Sequence, residues 1–97
     1  MIICAAIKIE HTDITGDKEL EPIIICGYRH GNCFEIAKRL HCNISKYTEG
    51  FINHKGVFLD RCEAYREAKT CGQINAHNQW YRKDNKVPDE LYSEDLY

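Results

Sequence analysis

Glu49-Gly50-Phe51-Ile52-Asn53-His54-Lys55-Gly56-Val57-Phe58-Leu59-Asp60-Arg61-Cys62-Glu63 is the stretch whose reading decides the fold. It predicts a strand over residues 49–52, a turn over 53–56 that Gly56 allows, and a second strand over 57–59. Asp60 then precedes a run with helical spacing, and Glu63 stands three residues on, which is a capping box with Asp in the cap position. The helix it opens is expected over residues 61–71, with Ala64, Tyr65, Ala68 and Cys71 on one face and Gly72 as its stop.

Upstream the same order repeats. The residues Ile2 to Ile9 are β-rich, His11 to Lys18 carries turn residues, and Pro22 to Tyr28 is a second apolar run, so the two runs pair as an antiparallel hairpin. After Arg29 the spacing becomes helical, with Phe34, Ile36, Ala37 and Leu40 as the expected buried face and His41-Cys42-Asn43 as the end. Downstream, Gln73 to Pro88 is largely polar, with Trp80 and Tyr81 as its only aromatic residues, and reads as a loop or a frayed helix. The segment Leu91 to Tyr97 holds two tyrosines and is expected to dock. The predicted fold is α+β: a short antiparallel β-sheet with two α-helices on one face, in the order β-β-α-β-β-α.

Composition narrows the class. The chain has 97 residues, 43% of them hydrophobic and 29% charged, with a formal net charge of -2. That size predicts a single domain over residues 1–97 with one modest core. The hydrophobic share excludes disorder, and no apolar run approaches the ~20 residues of a bilayer span. Met1 leads into Ile2-Ile3-Cys4 without a basic region, so the opening reads as a strand and the expected location is the cytoplasm. The slightly acidic balance argues against long nucleic acid, which asks for a basic stripe.

Six cysteines invite a zinc or disulfide reading. A reducing compartment keeps thiols free, and Cys4, Cys26, Cys33, Cys42, Cys62 and Cys71 contain no Cys-x2-Cys pair, so no metal or cofactor is expected. Cys33 beside His30, near a helix start, is the best candidate nucleophile, yet no third member or local signature accompanies it, and no catalytic residue is assigned. The isolated glycines exclude a phosphate loop of the P-loop type.

Binding fits the residues better. Tyr28-Arg29-His30-Gly31-Asn32 stands where a strand meets a helix N-terminus, whose free N–H groups and dipole favour an anion, and Arg29 adds a bidentate donor. Phe51 and Phe58 alternate with Asn53 and Asp60, which would offer aromatic stacking and hydroxyl acceptors on one surface. Arg82-Lys83 beside Trp80-Tyr81 joins cations to aromatic faces. A small phosphorylated ligand suits these groups.

Several segments also carry a resemblance. Ile2-Ile3-Cys4-Ala5-Ala6-Ile7-Lys8, Gly27-Tyr28-Arg29-His30 with Cys33-Phe34, Gly50-Phe51-Ile52 through Phe58-Leu59-Asp60-Arg61 with Glu63-Ala64, Gly72-Gln73, and Leu91 to Tyr97 together resemble small phage proteins of the Thoeris anti-defence sponge family. The resemblance implies a non-enzymatic protein that assembles as dimers or hexamers in the host bacterial cytoplasm. Such a protein sequesters cyclic ADP-ribose isomers, and some members also hold cyclic oligonucleotides. It further implies that Phe51 stacks on adenine, that Asp60 contacts ribose where relatives carry Asn, and that Arg82 meets phosphate. Two other readings stand beside it. One is a small cyclic-nucleotide-cleaving enzyme using His30, Cys33 or His54, and the other is a module that inhibits a host immune protein through the aromatic tail.

Overall fold

The computed structural model describes residues 1–12, 19–41 and 46–97. The chain forms β1 (Ile2–Thr12), β2 (Glu19–Gly27), α1 (His30–Arg39), β3 (Tyr47–Asn53), β4 (Phe58–Asp60), α2 (Arg61–Thr70) and α3 (Ala76–Asn85), and a 3₁₀ turn covers Ser93–Asp95. The four strands make one antiparallel sheet in the order β2-β1-β3-β4. The α+β class and the two successive hairpins are as the sequence predicts.

Register explains which side chains are inside. Paired residues point to the same side of a sheet, and successive residues alternate. Ile7 pairs with Ile25 and Ala5 with Phe51, and Phe51 pairs with Leu59, so these side chains share the face that α1 and α2 cover. Ala5, Ile7, Ile9 and Phe51 are completely enclosed there, with Cys33 and Ala37 of α1 and Ala64 and Ala68 of α2. The small residues on the helices let both approach the sheet closely. The opposite face carries Ala6, Lys8 and Phe58, with the Lys8 ammonium 6.0 Å from the Phe58 ring centre.

Several boundaries differ from the sequence reading. β1 runs on to Thr12 and β2 begins at Glu19, so the hairpin is longer than expected; residues 13–18 of its expected turn lie outside the described part. Val57 precedes β4 instead of opening it, and β3 starts at Tyr47. In α1 the buried positions are His30, Cys33 and Ala37, while Ile36 and Leu40 are exposed. The helix starts early enough for His30 to take the first inward position, which rotates the inward stripe away from Leu40. The helix closes at Leu40, and His41 adopts a left-handed φ of 57°; Cys42 and Asn43 lie outside the described residues.

The largest correction is α3. Residues 76–85 form a regular helix where a loop or frayed helix was expected, giving three α-helices among the described residues where two were expected. Asn75 caps it by accepting a hydrogen bond from the Asn78 amide at 2.8 Å. Its face toward the protein buries a single residue, Arg82, so the helix has no apolar stripe for a hydrophobicity pattern to detect.

The two ends of the sheet are tied by side chains. The register of β1 on β3 shifts between Ile2 and Cys4; Ile2 still pairs with Asn53, and the Gln73 carboxamide binds its backbone amide and carbonyl. The carboxamide oxygen accepts from the Ile2 amide at 2.6 Å, and the nitrogen donates to the Ile2 carbonyl at 2.9 Å. On α2 the predicted capping box is present: the Glu63 amide donates to Asp60 Oδ1 at 2.8 Å, and the Asp60 amide donates to Glu63 Oε1 at 3.2 Å.

Gly50 sits where β3 passes closest to β4. A Cβ there would collide with the Leu59 carbonyl and the Phe58 ring. Gly50→Ala is therefore expected to lower unfolding free energy by about 1–3 kcal/mol, read as a lower urea midpoint; an unchanged midpoint would show that the strands spread freely.

Candidate functional site

Both hairpins hand over to a helix at the same side of the sheet, and an arginine stands at each handover. Arg29 is the residue before α1, and Arg61 is the first residue of α2. Together with His30, Gly31, Tyr92, Ser93 and Glu94 they line a cleft of about 250 Å³. The first turn of a helix leaves backbone N–H groups without internal partners, so the α1 start adds partial positive charge to two guanidinium groups.

Each arginine is held by backbone or hydroxyl oxygens. Arg29 donates from Nη1 to Ser93 Oγ at 3.2 Å and from Nη2 to the Tyr97 carbonyl oxygen at 2.6 Å. Arg61 donates from Nη1 to the Leu91 carbonyl at 2.7 Å, and its guanidinium lies 5.0 Å from the Tyr92 ring centre. Their carboxylate partners are farther: Glu94 is 3.6 Å from Arg29, and Glu49 is 3.4 Å from Arg61. The positions are thus fixed by contacts to the tail, while the longer ones to Glu94 and Glu49 are open to competition from an incoming anion.

Beside the cleft, Tyr28 and Tyr97 stack with ring centres 4.3 Å apart and planes 17° from parallel. The Tyr97 hydroxyl donates to the Tyr28 carbonyl, and the Arg29 guanidinium lies 5.4 Å from each ring centre. One face of Tyr28 is thereby backed and fixed, yet the residue stays 61% exposed.

His30 is buried behind the cleft. Its Nε2 lies 2.7 Å from the Gly50 carbonyl oxygen, so Nε2–H is the donor, and its ring meets Phe51 edge-on at 5.1 Å. Burial pushes the imidazole below its usual range, which keeps it neutral near pH 7. Cys33 is enclosed too, its Sγ 3.6 Å from the Ala5 carbonyl, and burial pushes its thiol up to about 11. A thiol with that value is protonated at neutral pH and is a poor nucleophile. His54 lies in the β3–β4 turn beside Met1, outside this cleft.

The remaining expected binding residues are placed differently. Phe51 is wholly inside the core, and Phe58 faces the opposite side of the sheet, because Phe51 pairs with Leu59 while Ile52 pairs with Phe58. The two rings cannot form one surface. Asn53 is buried and organises the hairpin turn: its Oδ1 accepts from the Lys55 and Val57 amides, each at 3.0 Å. Asp60 is the α2 cap, its carboxylate already engaged by the Glu63 amide. Of the seven residues, Arg29 and His30 line the cleft. Arg61 and Tyr92 also line it; the signal for Arg61 was its place at a strand-to-helix junction, one position further into its helix than Arg29.

Arg82 is internal. It donates from Nε to Asp95 Oδ1 at 2.9 Å, from Nη2 to Asp95 Oδ2, and to the Pro88 and Glu90 carbonyls. The pair is almost fully enclosed, with side-chain exposures of 8% and 2%. Asp95 also accepts from Asn78 at 2.9 Å and from the Tyr92 amide at 2.8 Å. Burial alone would raise the Asp95 carboxyl, but the hydrogen bonds from Arg82, Tyr92 and Asn78 outweigh it and hold it below the usual carboxylate range. Arg82 also forms part of a second cavity of about 430 Å³ between α2 and α3.

Among the described residues no group of three or more His, Cys, Asp or Glu is arranged to hold a metal ion, and no helix is long and apolar enough to cross a membrane. Fold and clefts together define a small α+β protein with one charged hollow lined by its docked tail and another between α2 and α3. The chain belongs to the phage T4 y16D protein family, whose model matches residues 1–97. This agrees with the phage origin that the sequence resemblance implied, and the family's description names no ligand. No curated protein and no solved structure gives a match.

Two stability outcomes follow. Asp60→Ala is expected to cost about 1 kcal/mol through loss of the helix cap, read by urea denaturation; no change would remove the cap as its role. Asp95→Asn is expected to cost about 3–5 kcal/mol at pH 7, because it leaves the buried Arg82 unpaired. The folded carboxyl is held below its unfolded value of about 3.9, so its stabilisation is complete above that pH and is lost as pH falls through the depressed folded value. The wild-type acid-denaturation limb should therefore flatten in Asp95→Asn, and an unchanged limb would assign it to other groups.

Proposed function

We propose that this protein is a phage anti-defence sponge: it binds a cyclic ADP-ribose-type signalling nucleotide in the Arg29–Arg61 cleft and withholds it in the host cytoplasm without cleaving it. The observation that carries this reading is the convergence of two guanidinium groups and the α1 start on one cleft, beside the backed and exposed Tyr28 ring. Phosphate oxygens would displace the long contacts to Glu94 and Glu49 and take charge-assisted bonds from both arginines. Tyr28, in place of Phe51, offers the flat face on which an adenine ring stacks.

Capture without turnover suits the groups present. His30 is committed to the Gly50 carbonyl, and the Cys33 thiol is protonated and enclosed, so the cleft offers binding groups in place of a nucleophile. The cleft is smaller than a dinucleotide-sized ligand needs, since drug-sized sites are about 300–1,000 Å³. A second copy of the chain closing over the open side supplies the missing walls, and a ligand enclosed between copies leaves only when they part. The tail, with Leu91 buried and Asp95 paired, is engaged on its own body, which disfavours an interaction module that works through a free tail.

The test is calorimetric titration with a cyclic ADP-ribose isomer, followed by heat denaturation and mass analysis of the released ligand. Binding by the wild type, at least tenfold weaker binding in Arg29→Ala, Arg61→Ala and Tyr28→Ala, and release of intact ligand are expected, tenfold being about 1.4 kcal/mol. Absence of binding overturns the reading, and a converted product replaces it with an enzyme.

A further inference from the structure

α3 has no apolar side to lay against the body: its single buried residue is Arg82, and Trp80 and Tyr81 are exposed. It rests on the tail turn through the Arg82–Asp95 pair and stands off from α2. The gap is the cavity of about 430 Å³, within the usual size of a small-molecule site. Tyr65, Ile74 and Val87 give the lining apolar surface, and the Arg82 guanidinium lies 4.6 Å from the Tyr65 ring centre. The same lining carries Lys69 from α2 and Lys83 from α3, neither of which makes an ion pair among the described residues.

We infer that this cavity is a second ligand site, taking a small flat molecule with one anionic group, an aromatic phosphate or carboxylate. Its ring lies against Tyr65, Ile74 and Val87, and its anionic group meets Lys69 and Lys83. Arg82 is not the receptor for the charge, because Asp95 neutralises it and carbonyl groups take its remaining donors. Among the described residues Asp89 is the only acid on the lining, and the two lysines outnumber it. Packing alone does not account for such a lining: two helices in contact fill the space between them with apolar side chains, whereas here Lys69, Gln79 and Lys83 share the lining with Tyr65, Ile74 and Val87. The inference is independent of the reading given to the Arg29–Arg61 cleft.

The probe is 2-naphthyl phosphate, titrated into ¹⁵N-labelled protein and followed by amide chemical shifts, with 2-naphthol and inorganic phosphate as the two halves of the ligand. Saturable shifts at Gly72, Gln79 and Lys83 are expected, with each half binding at least tenfold more weakly. The double substitution Lys69→Glu and Lys83→Glu, on exposed side chains, should weaken the phosphate ester at least tenfold while the melting temperature without ligand shows that the fold is kept. The inference is overturned by absence of saturable binding, by shifts clustered at Arg29 and Arg61, by 2-naphthol or inorganic phosphate matching the ester, or by undiminished binding in the double variant. Should that variant unfold, Lys83→Gln alone gives the same reading, a loss supporting the site and full affinity refuting it.

Discussion

The buried pairing of Arg82 with Asp95 is the constraint on which the functional side of this molecule depends. An enclosed charge is strongly unfavourable unless opposite charge and hydrogen bonds surround it, and here both oxygens of Asp95 and most donors of Arg82 are satisfied. The pair joins α3 to the 3₁₀ turn and so fixes the chain from Leu91 to Tyr97. That segment supplies Tyr92, Ser93 and Glu94 to the arginine cleft, and Arg82 itself lines the cavity between α2 and α3. Both hollows therefore share one scaffold, and neither has its present shape without it.

Such a pair is also directional. Hydrophobic packing would seat the tail in many nearly equivalent positions, whereas a two-point guanidinium–carboxylate contact with amide donors around it admits one. The result is preorganisation: Arg29, Arg61 and Tyr28 are held by Ser93, Leu91 and Tyr97 before any ligand arrives. Fixing these groups in advance removes part of the ordering cost of binding.

The hairpins and α2 were legible in the sequence because local chemistry specifies them: Gly56 in a turn, the Asp60 and Glu63 box, and Gly72 with its left-handed φ of 68°. α3 was not, because its cap is a single Asn and its inward residue is an arginine, which a hydrophobicity pattern counts as outward. The same property misled the reading of Arg82 as a ligand contact, since a charged residue is seldom enclosed and its partner lies thirteen positions away. For the site, Arg29 and His30 were visible as a strand-to-helix junction. Arg61 required knowing that the second junction lies beside the first, and Phe51 and Phe58 required the register that sends them to opposite faces.

Gln73 binding the Ile2 backbone across 71 positions, like Arg29 meeting Tyr97 across 68, means that the structure closes upon itself through contacts remote along the polymer. Rings of that size carry a large closure entropy, which must be met before the contacts repay it. The first hairpin therefore has its full set of neighbours only when the C-terminal third of the chain is in place, so the hollows owe their shape to residues at both extremes of the polymer.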